Sequence, residues 1–343
     1  MSVILVSTPR FFDHTPPPGH PERPERAHVF DVVADGWRER GGRVMEPRAA
    51  THAEIERVHT RAHIASIEST RGRAVMIDED TYTSPETAEL ALLAAGAALT
   101  ATEQVLAAEG DRALALVRPP GHHAEADVAM GFCFYNNIAV AAAAALASGL
   151  SRVAIVDFDV HHGNGTQRMF EEDPRVLFAS VHQHPCYPGT GPTAEIGRGA
   201  GRGFTVNAAL EAGGTDGDYV VVFDRIVVPI VERFAPELVL VSAGFDAHED
   251  DPLAHMRMTS AGYGRLAAAL ADLADRHARG RLVAVTEGGY ELTALGESLH
   301  AVVRVLSGDA AWVAGRSLDP STGRGERAAD ALRAALTPFW PGL

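Results

Sequence analysis

Short, mostly apolar runs recur along the chain at residues 3–6, 113–117, 153–156, 176–181, 238–241 and 282–285. They are rich in Val, Ile, Leu and Ala with no polar alternation, the pattern of strands buried on both faces of a parallel sheet. Between them lie longer segments with apolar residues at helical spacing. Ser84 before Pro85 predicts an N-cap followed by a first-turn proline, opening a helix through the alanine-rich stretch to a stop at Gly110. Further helices are predicted over about 137–148, 216–234 and 260–278. Strand and helix alternate from end to end with no Pro/Ser linker or repeat. The expectation is therefore one α/β domain over residues 1–343, built on a doubly wound parallel sheet. Segments 11–26 (FFDHTPPPGHPERPER), 183–203 and 246–258 are dense in Gly, Pro or charge and predict long loops, which are often functional.

Composition narrows the class. A chain of 343 residues, 46% hydrophobic, can bury a sizeable core. No stretch offers about 18 uninterrupted apolar residues, and MSVILVSTPRFF lacks the basic region and cleavage pattern of a signal peptide. A cytoplasmic protein without a membrane partner is expected. The formal charge of -15 argues against nucleic acid, whose phosphates need a basic face, and mildly favours cationic substrates. All 30 basic residues are arginine, which the Ala-, Gly- and Arg-rich composition explains as compositional bias. Cys133 and Cys186 are too few for a disulfide framework and wrongly spaced for a thiolate metal site, so free thiols are expected.

In open parallel sheets, ligands bind beyond the carboxyl ends of the strands. Run 113–117 is followed by RPPGHH, with His122 and His123; run 153–156 by DFDVHH, with Asp157, Asp159, His161 and His162. Run 238–241 is followed by SAGFDAHEDD, with Asp246, and run 282–285 by TEGGY, with Tyr290. One such turn is ordinary, since turns favour Gly and Asp. Four together predict a site. Asp159 and His161 lie two apart, so an extended chain projects them to one side. With Asp246 they make a carboxylate, imidazole, carboxylate set with open coordination positions, suited to a catalytic divalent metal, zinc by default. Singly, Asp159 capping a turn and His161 packing in the core are equally good readings. His122 and His123 suit proton transfer, with Asp157 and Asn164 as orienting partners. Tyr290 could donate to a developing oxyanion, although a lone Tyr after Gly-Gly is usually a packing aromatic.

The segments RPPGHHAEADVAMGFCFYNN, VDFDVHHGNGTQ, SVHQHPCYPGTG, SAGFDAHEDDPL and EGGY, in this order and spacing, resemble the zinc-dependent histone deacetylase superfamily. The pattern is most similar to class II and bacterial deacetylase-like members, relatives of the acetylpolyamine amidohydrolases, which share the HPERPER type of N-terminal segment. The resemblance covers nearly the whole chain. It implies the arginase/deacetylase fold, a central parallel sheet of about eight strands flanked by helices. It implies that Asp159, His161 and Asp246 hold one zinc, that His123 is the general base and that His122 acts electrostatically. Asp157 would support His122, and Asn164 would stand where class I relatives carry aspartate, leaving the His123 imidazolium less stabilised. Tyr290 matches the transition-state tyrosine. Gly131, Phe132 and Tyr187 match tunnel walls, with Leu253, Gly288 and Gly289 also along the substrate path. Arg26 matches an arginine on the channel for the released acid, and Asp157 and Ser180 match a structural potassium site.

The implied reaction removes an acetyl or other acyl group from a lysine side chain, or from a related linear acylated amine, releasing amine and carboxylate. An arginase-type binuclear manganese enzyme would need further carboxylates, and the relevant positions are Gly163 and His248. A non-catalytic acyl-lysine binding protein would be expected to have lost a ligand or the tyrosine, and neither is lost. Polyamine-specific relatives carry an acidic gatekeeper seven residues past the second zinc aspartate. Here that position is Leu253, the lysine deacetylase pattern, while Glu249, Asp250, Asp251 and the cluster 78–80 keep an acetylpolyamine as the alternative substrate.

Overall fold

The computed structural model describes residues 3–108, 112–309 and 311–343, without the side chains of 313 and 314. Eight strands form one sheet: β1 (Val3–Val6), β2 (Arg43–Met45), β3 (Arg112–Ala115), β4 (Val153–Asp157), β5 (Val176–Gln183), β6 (Thr205–Leu210), β7 (Leu238–Ala243) and β8 (Leu282–Thr286). Their order is β2-β1-β3-β8-β7-β4-β5-β6, and neighbouring strands pair in parallel. The six apolar runs are the six inner strands. The two that apolar runs do not reveal are the edges: β2 is three residues long and half exposed, and β6 reads TVNAAL, with a buried Thr205 and Asn207 in place of aliphatics.

Helices cover both faces, and strand alternation divides the core between them. Val3 and Leu5 of β1, and Ala154 and Val156 of β4, face one apolar cluster; Ile4 and Val6, and Val153 and Ile155, face the other. The first cluster is closed by helices that include Glu25–Glu39, Ser260–His277, Leu292–Leu306 and Arg324–Leu336; the second by Thr87–Ala107 and Asn137–Ala147. Thr87–Ala107 is long and apolar enough to cross a bilayer by composition alone, but 72% of its apolar window is buried inside the protein. Mid-helix Gly96 is required there, because a Cβ would lie 1.8 Å from the Arg48 carbonyl oxygen.

Two helix expectations change in detail. The alanine-rich helix starts at Thr87 rather than behind a Ser84 cap: the Thr87 hydroxyl accepts from the Ser84 backbone N–H at 2.7 Å, leaving Pro85 in the preceding turn. It ends at Ala107, and the expected stop at Gly110 lies outside the described residues. Segment 216–234 is helical throughout but changes pitch, with a π-helical turn at Phe223–Val227 before Val228–Phe234. Pro229, which has no N–H to give to a carbonyl one turn back, accounts for the wider turn.

Candidate active site

The strands whose ends carry His122/His123, Tyr290, Asp246 and Asp159/His161 are β3, β8, β7 and β4, the four central neighbours of the sheet. Segments far apart in sequence therefore open side by side.

Beyond β4 the chain folds on its own carboxylates. Asp157 Oδ1 accepts from the Asp159 backbone N–H (3.0 Å), and Asp159 Oδ1 accepts from the His161 N–H (2.9 Å). These consecutive Asx turns, rather than strand extension, place Asp159 and His161 together. Asp246 joins them from β7, its Oδ1 accepting from the Val160 N–H at 3.0 Å. His161 Nδ1 then lies 3.2 Å from Asp159 Oδ1 and 3.1 Å from Asp246 Oδ2. The three side chains are buried, with ligand atoms within 4.8 Å of one another, the one such group of three or more among the described residues. Glycines make the cradle: a Cβ at Gly244 would lie 2.0 Å from Asp159 Oδ2, and one at Gly288 2.0 Å from Asp246 Oδ2. Two carboxylates buried beside one imidazole are costly unless a further positive charge joins them. One nitrogen and two carboxylate groups in this arrangement fit a single divalent cation. His248 instead meets Asp250, 3.6 Å away.

The histidine pair sits on the loop after β3. His122 Nδ1 is 2.9 Å from Asp157 Oδ2, and His123 Nδ1 is 2.8 Å from Asn164 Oδ1. Burial disfavours charge on both rings, with opposite outcomes. For His122, Asp157, Asp159 and Glu287 overcome burial and push it up to about 10. For His123, burial acts with the nearby His122 and His161 to hold it well below the usual histidine range. The Asp157 carboxylate thus favours the charged form of His122, while the neutral Asn164 amide gives His123 no such support.

Gly131 (φ +57) lets its loop lie against His123, since a Cβ there would be 2.5 Å from His123 Cδ2. The next residue, Phe132, is non-glycine yet has φ +67, a backbone strain found at functional sites. The Phe132 ring lies 5.9 Å from that of Tyr290, and the Tyr187 ring 5.1 Å from His123 and 6.2 Å from His161. Leu253 and Tyr290 line a cleft of about 570 Å³ with Pro16, Pro18, Arg23 and Pro252. The Tyr290 hydroxyl is held protonated by burial, although Arg26 pulls the other way. Ser180 faces Asp157 across the β4–β5 ladder, and its hydroxyl lies 2.8 Å from His182 Nδ1.

Arg26 is fully buried, so it is not a surface charge. Its Nε donates to the Gly289 carbonyl (2.7 Å), Nη2 to the Glu287 carbonyl (2.5 Å) and Nη1 to Glu22 Oε1 (2.8 Å), while its guanidinium covers the Tyr290 ring at 5.0 Å. Glu22 also grips Arg118 through Oε1 (2.5 Å) and Oε2 (2.7 Å). Three carboxylates therefore matter that sequence reasoning gave no such part. Glu22 clamps two arginines. Glu287 accepts from the Gly121 and His122 N–H groups (2.7 and 3.1 Å) and from the Ser242 hydroxyl (2.9 Å). Asp251, grouped by sequence with the acids that could meet a cationic substrate, turns inward and accepts from the Tyr290 N–H at 2.6 Å. The signal for Glu287 was available: a charge ending an apolar strand, before two glycines.

Residues 20–306 match the family model described as the histone deacetylase domain. The chain is 40% identical over 291 residues to a "Probable deacetylase" of Archaeoglobus fulgidus, covering 84% of this chain and 81% of that one. It is 42% identical over 298 residues to a "Histone deacetylase-like amidohydrolase" of Pseudomonas aeruginosa, covering 84% and 77%. The crystal structure of the HDA15 HD domain matches with a TM-score of 0.91 at 37% identity, covering 99% of this chain and 95% of that one.

Proposed function

Because the chain belongs to the histone deacetylase family, we propose that it is a zinc-dependent amidohydrolase that removes acetyl or other acyl groups from lysine side chains or related linear acylated amines. The observation that carries this reading is a buried one-imidazole, two-carboxylate donor set beside two adjacent histidines, one bonded to a carboxylate and the other to an amide.

Asp159, His161 and Asp246 would hold the zinc, which when bound supplies Lewis acidity toward an amide carbonyl and an acidified water. His123, neutral and bonded to Asn164 through Nδ1, offers Nε2 to take a proton from the attacking water and later return it to the leaving amine. His122, kept cationic by Asp157, stabilises negative charge as it develops. The Tyr290 phenol donates to the carbonyl oxygen, and Asp251 and Arg26 fix the backbone that presents it. Phe132 and Tyr187 flank a linear aliphatic chain, with Gly131, Gly288 and Gly289 keeping its path narrow. Arg26 would face the released carboxylate, and the Asp157–Ser180 pair would border a structural potassium ion. Apolar Leu253 in the cleft favours acyl-lysine over an acylated polyamine.

A hydrolysis panel tests the proposal: acetyl-, trifluoroacetyl- and longer acyl-lysine peptides beside N-acetylated putrescine, cadaverine and spermidine, with metal measured per chain. The expected result is turnover of acyl-lysine peptides that chelation abolishes and zinc restores. Binding without turnover by protein carrying one zinc per chain would make it a reader of acyl-lysine instead. Preference for the polyamines would overturn the Leu253 argument.

A further inference from the structure

Asn164 is held from both sides. Its Oδ1 meets His123 Nδ1 at 2.8 Å, while its Nδ2 donates to Glu125 Oε1 at 2.8 Å and, more weakly, to the His123 carbonyl oxygen at 3.3 Å. Glu125 sits two residues beyond His123 on the same loop, half-buried, and its own N–H is anchored to the Val128 carbonyl at 2.9 Å. We infer that Glu125 is a positioning residue that fixes which ring nitrogen of His123 carries the proton, acting through the Asn164 amide. The inference rests on reading His123 as the general base.

The two ends of an asparagine amide are chemically opposite, since the oxygen only accepts and the nitrogen only donates. A carboxylate only accepts, so Glu125 compels the NH2 end to face it. The oxygen must then face His123 Nδ1, which carries the hydrogen, and Nε2 is left with a free lone pair. A half-turn of the amide would press its oxygen against the Glu125 carboxylate, and would present NH2 to Nδ1. In that state Nδ1 accepts, Nε2 holds the hydrogen, and the ring cannot take a proton from water. The His123 carbonyl opposes the half-turn too, but it is uncharged and the longer contact. Hydrogen bonds to charged groups are the stronger kind.

An aspartate at 164 would need no such orientation, because both of its oxygens accept. It would also bring a second carboxylate against Glu125, so the same glutamate that helps an asparagine should hinder an aspartate. Glu125 and Asn164 thus form a matched pair. A glutamate that merely braced the loop would matter equally with either partner.

The test uses the full-length, zinc-loaded protein as wild type, E125A, E125Q, N164D and E125A/N164D. Two readouts are taken: kcat and KM on an acetyl-lysine peptide, and nitrogen-15 ring spectra of histidine-labelled protein, with His123 assigned by its loss in H123A. E125A is expected to lower kcat about tenfold or more, with KM within about twofold, and to shift His123 Nδ1 toward the unprotonated form. E125Q, whose amide oxygen can still accept from Asn164, should stay within about threefold of wild type. In the N164D background, loss of Glu125 should leave kcat unchanged or raise it. Equal losses in both backgrounds, or a His123 ring spectrum indifferent to E125A, would overturn the inference. The ring spectrum needs no turnover. If the wild type hydrolyses none of the amides yet E125A still moves the ring proton, the proposed function fails and the Glu125 assignment stands.

Discussion

Replacing Glu22 with alanine is the sharpest test of how the catalytic loop is held. Glu22, Arg26 and Arg118 are each fully buried, and Glu22 bonds to both guanidiniums. Burial alone would raise the Glu22 carboxyl, but Arg118, Arg26 and His14 overcome it and hold it at about 2, against an ordinary 4.5. That depression corresponds to about 3 kcal/mol of folding free energy. Removing one partner of a buried ion pair independently suggests about 3 to 5 kcal/mol, because the remaining charges stay buried without compensation. Both routes give a large effect for a single glutamate. With an unfolding entropy of about 2.1 cal/mol/K per residue, E22A should melt roughly 4 to 7 °C below the wild type. Since the folded pKa is depressed, the contribution is fully present above about pH 4.5 and is lost as pH falls toward 2. The stability gap between E22A and wild type should therefore narrow on acidification below pH 4.5. Because Arg26 also ties down the Gly289 and Glu287 carbonyls, kcat should fall along with stability. Thermal melts and urea titrations at pH 7 and pH 4 check this. A variant within 1 kcal/mol of the wild type at pH 7 would refute the clamp.

Other outcomes follow from the same contacts. G288A drives a methyl group into Asp246 Oδ2, so bound zinc per chain should drop, with metal affinity down roughly tenfold or more; full zinc and unchanged kcat would count against the cradle. Y290F and H123A should each remove turnover while sparing bound zinc, read by activity beside metal analysis, and survival of turnover in both would discard the assigned roles. L253E places a carboxylate on the cleft that Tyr290 lines, and should raise kcat/KM for acetylspermidine relative to an acetyl-lysine peptide by about tenfold. An unchanged ratio would show that the cleft does not meet the substrate's distal amine.

What could be read from the sequence divides along physical lines. The inner strands were legible because a strand buried on both faces is apolar along most of its length. Edge strands β2 and β6 escaped because exposure and buried polar partners relax that demand. The residues at four strand ends could be named from motif and spacing. Their convergence depends on the order β3-β8-β7-β4, which no local pattern encodes. Glu22 and Asp251 escape for a related reason. In PERPER or HEDDP a carboxylate reads as a solvated charge, and only its partners reveal otherwise: Arg118, 96 positions from Glu22, and the Tyr290 N–H, 39 positions from Asp251. The Asx turns after β4 correct the reason, not the residues, for bringing Asp159 and His161 together.

The sheet order also bears on how the molecule is made. β8 is the last strand to leave the ribosome, yet its place is in the middle, between β3 and β7. A chain that stops before residue 282 has no strand to join β2-β1-β3 to β7-β4-β5-β6, and lacks both the Gly288 support and the tyrosine. That one strand both bridges the two parts of the sheet and leads into the tyrosine, so a chain cut short before it should be inert rather than partly active.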